Sequence, residues 1–459
     1  MSNASSSPDQ TQGNGVEIIN ISEMVRLLTQ SMGQDPKLLK KTAGRECCSI
    51  FRVPPSIMKI HPEVFRPQIL SIGPYYHGEN HLEMIQEHKR RFLAVVLMRT
   101  QAFNVGLDDF FRAIHEKVDR IKSCYSETIE CSNRELIEMM VLDGCFIMEL
   151  VCVVGRLVET PDEDESLFQL PWILNFLSRD LLKLENQIPF FVIQTLFDLS
   201  FPNNTSRSPS LTKLVMAFFD YSIQRTEWDR YTSNKGEHLL DLIRSTFIPS
   251  TNDNNNNNYD DDDTSNSGFL QCIQPVEKLR AAGIKLKKKK DAESFLEIKF
   301  SPKNGILEIA SLETHDFMST FLLNCVAFEQ CYGNYCLTHF TSYVNFMGYL
   351  MNSSSDAEHL RDKGIIENYF GSDEEVVKFF NDVGKGGFLD LNRSYLKKVI
   401  EDVNEYNRNK SNVQWARFNY NYFRTRWIFL SAFAALIILV LTVIQSFMSV
   451  FAYVNPPLQ

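Results

Sequence analysis

Apolar residues recur every three or four positions along most of this chain, the spacing of helices that bury one face. The pattern predicts a weakly amphipathic helix over residues 16–39. Stronger ones follow over 79–99, where Met84, His88, Phe92 and Val95 share a face, and over 108–123, 132–158 and 172–197. Ser178 and Asp180 read as N-terminal caps in the last of these, and Pro189 should end or kink it. Beyond residue 268, helices are expected over 276–282, 317–332, 338–351, 356–368, 373–383 and 394–406. Between 295 and 309 the period drops to two. Residues 295–300 and 306–309 alternate around Asn304-Gly305, a turn pair, so one β-hairpin is expected. Segment 47–78 carries Pro54, Pro55, Pro62, Pro67 and Pro74. No long helix survives that spacing, and the segment reads as a strap of turns laid over a core.

The pattern changes character at the end. Residues 427–459 contain no charged side chain and are almost wholly apolar through Val454. Roughly 20 apolar helical residues cross a bilayer core, so a transmembrane helix is expected over 427–454. Residues 407–426 hold Arg408, Lys410, Arg417, Arg424 and Arg426 with no acid, and no base follows the helix. The positive-inside rule then puts the body in the cytosol. The N-terminus lacks the basic and apolar regions of a secretory signal. A tail-anchored, single-pass protein is expected, with the plasma membrane as the leading destination. By contrast, the apolar stretch 132–158 contains Glu135, Glu138, Asp143 and Glu149, which makes it a core helix.

The expected organisation is an N-terminal tail (1–44), a helical body in two parts (45–250 and 269–426) and an acidic Asn/Asp-rich loop between them (251–268), followed by the anchor. The fold class is mainly α, with one small hairpin. Composition agrees: 44% of the 459 residues are hydrophobic and 34 are phenylalanine, enough for a large core. A net charge of −10 speaks against nucleic acid as a partner of the body. Ten scattered cysteines are too few for a disulfide scaffold, and reduced thiols are expected. The sequons at Asn3, Asn203, Asn204, Asn352 and Asn392 would be silent in the cytosol.

Catalytic motifs are missing. There is no phosphate-binding glycine loop, no H-E-x-x-H, no G-x-S-x-G and no C-x-x-C. Cys325, Cys331, Cys336 and His339 have a spacing that fits no common zinc site, so no metal is expected and no cofactor either. Glu185-Asn186-Gln187 before Pro189 reads as hydrogen bonding at a helix break. Together with His77 it is the one place where an unfamiliar active site could be built. The cluster of Lys285 and Lys287 to Lys290 reads as a solvated loop near anionic lipid or the Asp260 to Asp263 run.

Several ordered blocks carry a resemblance: IFRVPPSIMKIHPEVFRPQILSIGPYYHG, MMVLDGCFIMEL, DLLKLENQIPFFV, NCVAFEQC, TSYVNFMGYL and GIIENYFGSDEEVVKFFN. They resemble a plant family known only as domain of unknown function 247, over about residues 46–454. The resemblance implies a plant source and a membrane tail, and it supplies no catalytic residues. The expected role is therefore partner recognition or scaffolding at a membrane, through lipid at the C-terminal helix and a protein at the body. No small-molecule substrate is evident. An enzyme built on Glu185, Asn186, Gln187 and His77 is the alternative.

Overall fold

The computed structural model describes residues 20–32, 35–159, 166–202, 209–223, 228–249, 272–333, 335–386, 391, 394–408 and 426–454. The acidic loop, residues 1–19 of the N-terminal tail and most of the basic flank before the last helix lie outside these residues.

Helix Asn133–Val154 is the axis of the first half. Ser132 caps it: its Oγ accepts the Glu135 N–H at 3.2 Å, and the Glu135 carboxylate accepts the Ser132 N–H at 2.8 Å. Helices Met84–Thr100, Leu107–His115, Phe190–Ser200 and Leu211–Ile223 all pack on it. Two of its charges are fully buried, and both find a base on Met84–Thr100. Lys89 Nζ lies 2.6 Å from Asp143, and Arg99 grips Glu149 with both Nη atoms at 2.9 and 2.6 Å. These acids mark a protein core, where partners exist, as the sequence predicts.

The expected helix over 108–123 is two, Leu107–His115 and Val118–Ser123. The one over 172–197 is also two, Pro171–Asp180 and Phe190–Ser200. Leu170, not Ser178 or Asp180, is the N-cap, because Pro171 starts the helix. Ser178 sits inside it and bonds the Asn175 carbonyl, and Asp180 ends it. The strap over 47–78 is mostly irregular, with single turns at Pro55–Met58 and Pro62–Phe65, each opened by its proline.

In the second half the hairpin forms as expected: β2 (Ile298–Ser301) runs antiparallel to β3 (Ile306–Ile309). The lysine cluster is not a free loop. Residues Lys285–Lys288 form β1, parallel to β3, giving the order β1-β3-β2. Ile284 and Leu286 turn inward while Lys285 and Lys287 face water, so the period of two was present under the charge. A second sheet pairs β4 (Leu312–Thr314) with β5 (Ile366–Asn368). β5 takes the end of the helix expected over 356–368, which stops at Asp362 before Gly364 (φ +67°).

Buried side chains from both sides of residues 251–268 join one hydrophobic cluster. Phe247 meets Phe295 at 5.1 Å and Phe321 at 5.3 Å between ring centroids, and Phe321 meets Phe340 edge-on at 5.5 Å. The last helix, Arg426–Val454, differs from the helices of the core: each of its described side chains is exposed.

Candidate functional site

The residues singled out in the sequence lie at a polar clamp under the strap. The break between Pro171–Asp180 and Phe190–Ser200 exposes a run of polar side chains to the core, and all but Gln187 take up backbone from residues 52–73. Asp180 accepts the amides of Gln68, Ile69 and Leu70 at 2.8–3.0 Å. Lys183 pairs with Asp180 at 3.1 Å and donates to the Arg66 carbonyl. Glu185 accepts the Val53 amide at 2.7 Å, the Tyr76 hydroxyl at 2.6 Å and the Arg52 guanidinium at 2.9 Å. Asn186 accepts the Ile72 amide at 2.7 Å and donates to the Leu70 and Asp180 carbonyls. Gln187 donates to the Leu181 and Lys183 carbonyls and accepts the Leu240 amide.

A prolyl strap cannot pair its amides in a sheet or a helix, so side chains must do it. The clamp does so. Asn324, from helix Asp316–Tyr332, completes it: its Oδ1 accepts the Leu184 amide at 2.9 Å and its Nδ2 donates to the Val64 carbonyl. Gly73 closes the strap at φ +71°, where a Cβ would lie 2.6 Å from the Gln187 carbonyl. His77 stands apart. It is exposed, and among the described residues it has no hydrogen bond to Glu185, Asn186 or Gln187. Three of the four residues of the enzyme alternative are thus engaged by backbone, and the fourth faces water.

The cysteine group is equally dispersed. Among the described residues no three His, Cys, Asp or Glu side chains come together to hold a metal. Burial pushes the Cys331 and Cys336 thiols up to about 12 and raises Cys325 well above the usual thiol range. A thiol so disfavoured as thiolate is neither a good nucleophile nor a ready ligand. Nearby Glu329, raised by burial and pulled back by Arg244, accepts the Phe340 and Thr341 amides at 3.1 and 2.8 Å, which caps helix His339–Leu350.

Two open clefts stand out among the described residues. The larger, ≈1240 Å³, lies where β1 ends against helix Pro171–Asp180 and the start of Asp316–Tyr332. Its rim carries Arg179, Lys288, Lys290, Asp291, His315 and Tyr369. Arg179 reaches Asp316 at 3.6 Å, and its guanidinium covers the Phe176 ring at 4.5 Å. Lys288 pairs with Glu367 at 3.3 Å, and Tyr369 is 65% exposed. Burial lowers the pKa of His315, against Glu313 and Asp316. The smaller cleft, ≈350 Å³, shares Arg179 and Asp316 and adds His61, Lys183, Lys378 and Phe379. Only the lysines of this region stood out in the sequence. Arg179 and Asp316 come from helices far apart in the chain, and their spacing carries no signal.

Comparison with known proteins gives a consistent answer. Residues 50–441 match the model of a family described as plant protein of unknown function, DUF247. The chain is 37% identical over 441 residues to the UPF0481 protein At3g47200 of Arabidopsis thaliana, covering 93% of this chain and 91% of that one. It is 22% identical over 495 residues to a second UPF0481 protein of the same plant, At3g02645, covering 88% and 90%. No solved structure matches.

Proposed function

The chain belongs to this plant family of unknown function, and from that premise we propose that it is a membrane-anchored recognition protein. The anchor is Arg426–Val454, and the body binds a protein partner at the cytosolic face, with the plasma membrane as the leading site. One observation carries the reading. The span Phe433–Phe451 is long and apolar enough to cross a bilayer and has no buried face. The core helix Asn133–Val154 is apolar too, yet it is enclosed by four neighbours. The whole helix of 29 residues is about 43 Å long, which matches the full thickness of a bilayer with its headgroups.

Recognition is favoured over catalysis by where the polar groups are spent. The clamp side chains hold the strap and leave no free acid–base pair there. The larger cleft exceeds the usual size of small-ligand pockets, roughly 300–1,000 Å³. It mixes charges of both signs with an exposed tyrosine, the composition of a protein interface rim and anchor.

Proximity labelling from the full chain in plant tissue tests this. The expected result is a set of labelled proteins that is lost when Arg179 and Lys288 are changed to Glu, with membrane association unchanged. Labelling no different from that of the last helix fused to an unrelated body would overturn it.

A further inference from the structure

The N-terminal helix has an apolar face that nothing among the described residues covers. Ile21–Met32 is a 12-residue helix with no buried residue. Asn20 Oδ1 accepts the Glu23 amide at 3.2 Å, as an N-cap does. At 100° per residue Ile21, Met24, Val25, Leu28 and Met32 fall within an arc of about 100°. The opposite side carries Glu23, Arg26 and Gln30, flanked by Ser22 and Thr29 on one edge and Leu27 on the other. Met24 and Val25 are 58% exposed and Leu28 60%. A lone helix this short is marginal in water, so its face calls for a cover.

A second feature lies just after it. Leu38 and Leu39, 80% and 63% exposed, sit between Lys37 and Lys40-Lys41. They are not on a loose tail. The Lys40 amide bonds the Ser126 carbonyl and the Thr128 amide bonds the Lys37 carbonyl, both at 2.8 Å. The body therefore holds two leucines outward on a fixed bend, flanked by cations. Residues 20–45 carry Arg26, Lys37, Lys40, Lys41 and Arg45 against Glu23 and Asp35, a local excess of base in a chain of net charge −10. Lys37 pairs with Glu130 and Lys41 with Asp35, but both pairs are exposed and hold their cations weakly.

We propose that Ile21–Met32 and the 37–41 bend form a peripheral seat for an anionic phospholipid surface. This rests on the membrane-anchored reading above. The apolar stripe enters the acyl boundary while the polar face and lysines stay among headgroups. Residues 409–425 join Arg408 to Arg426 with a covalent reach of at most about 60 Å. A tethered body meets the bilayer at high effective concentration, so a contact too weak alone becomes populated. A second copy of the chain is a poorer cover. The helix spans under two heptads, too short for a stable paired seam, and a parallel pairing would also bring the lysines after it near their own mates.

The test uses the full chain in phospholipid nanodiscs, read by amide hydrogen exchange over 21–32. With phosphatidylserine present, exchange should slow by about tenfold or more relative to detergent. Pure phosphatidylcholine should give less. The pair Met24→Glu and Leu28→Glu should remove the protection and leave exchange in Asn133–Val154 unchanged. Equal exchange in anionic nanodiscs and in detergent overturns the proposal, as does protection in detergent that grows with protein concentration. If the chain fails to insert into nanodiscs at all, the anchor reading itself falls, and this seat with it.

Discussion

Lys89 and Asp143 face each other at 2.6 Å with almost no solvent at either side chain. Lys89 also donates to the Ser71 carbonyl, and Asp143 Oδ2 accepts the Gly73 amide at 2.8 Å. One pair therefore fastens the central helix, its neighbour and the strap. Removing one partner leaves an uncompensated buried charge, so Asp143→Ala should destabilise by about 3–5 kcal/mol in thermal or denaturant unfolding. Lys89→Met with Asp143→Leu should recover much of that. His238 makes a different residue-scale prediction. Its Nδ1 accepts the Asp241 amide at 3.3 Å, capping helix Leu239–Phe247, and its other ring nitrogen bonds the Ser49 carbonyl at 3.1 Å. Both bonds fit the neutral ring. Burial lowers its pKa to about 4, and does the same at His339, where Arg244 adds to the effect. A folded pKa below the unfolded 6.5 means the native state binds fewer protons. The stabilising effect is complete above pH 6.5 and is lost as pH falls toward 4, at about 3 kcal/mol per histidine. Unfolding temperatures at pH 7 and pH 4.5 should differ accordingly, and His238→Gln should flatten the slope.

At the scale of elements, legibility followed periodicity. Helices whose partners lie along one stripe, such as 394–406, were placed within a few residues of where they stand, at Lys397–Arg408. The hairpin was readable because Asn304-Gly305 writes its turn locally. Capping boxes are also legible, in S-x-x-E at Ser132 and S-x-x-D at Ser353. What local pattern does not carry is pairing at a distance: β1 beside β3, β4 beside β5, and the strap on its clamp. Asp180 shows why. A carboxylate near helix residues reads as a cap, but its partners are amides some 110 residues away. Glycine supplies an element-scale prediction. Gly305 sits at φ +60°, and a Cβ there would lie 2.5 Å from the Tyr406 hydroxyl. Tyr406 packs edge-on against Phe300 at 5.7 Å. Gly305→Val should cost about 1–3 kcal/mol through strain and displacement of helix Lys397–Arg408. Faster proteolysis within 394–408 than within 133–154 would check it.

For the whole molecule, the account is of a body that uses its buried charge to hold itself together and leaves two kinds of unspent surface. One is the cleft around Arg179 and Tyr369. The other is apolar, the last helix along its length and the N-terminal helix on one face. The body's own core explains neither, and the proposed role of anchored recognition would use both. Membrane topology tests this claim most directly, in plant microsomes treated with alkaline carbonate and then protease, with glycosylation shifts read at Asn203, Asn204, Asn352 and Asn392. The account predicts a chain that resists extraction, a body that is digested and unglycosylated, and a protected fragment holding Phe433–Phe451. A chain released by carbonate, or a protected and glycosylated body, would contradict it.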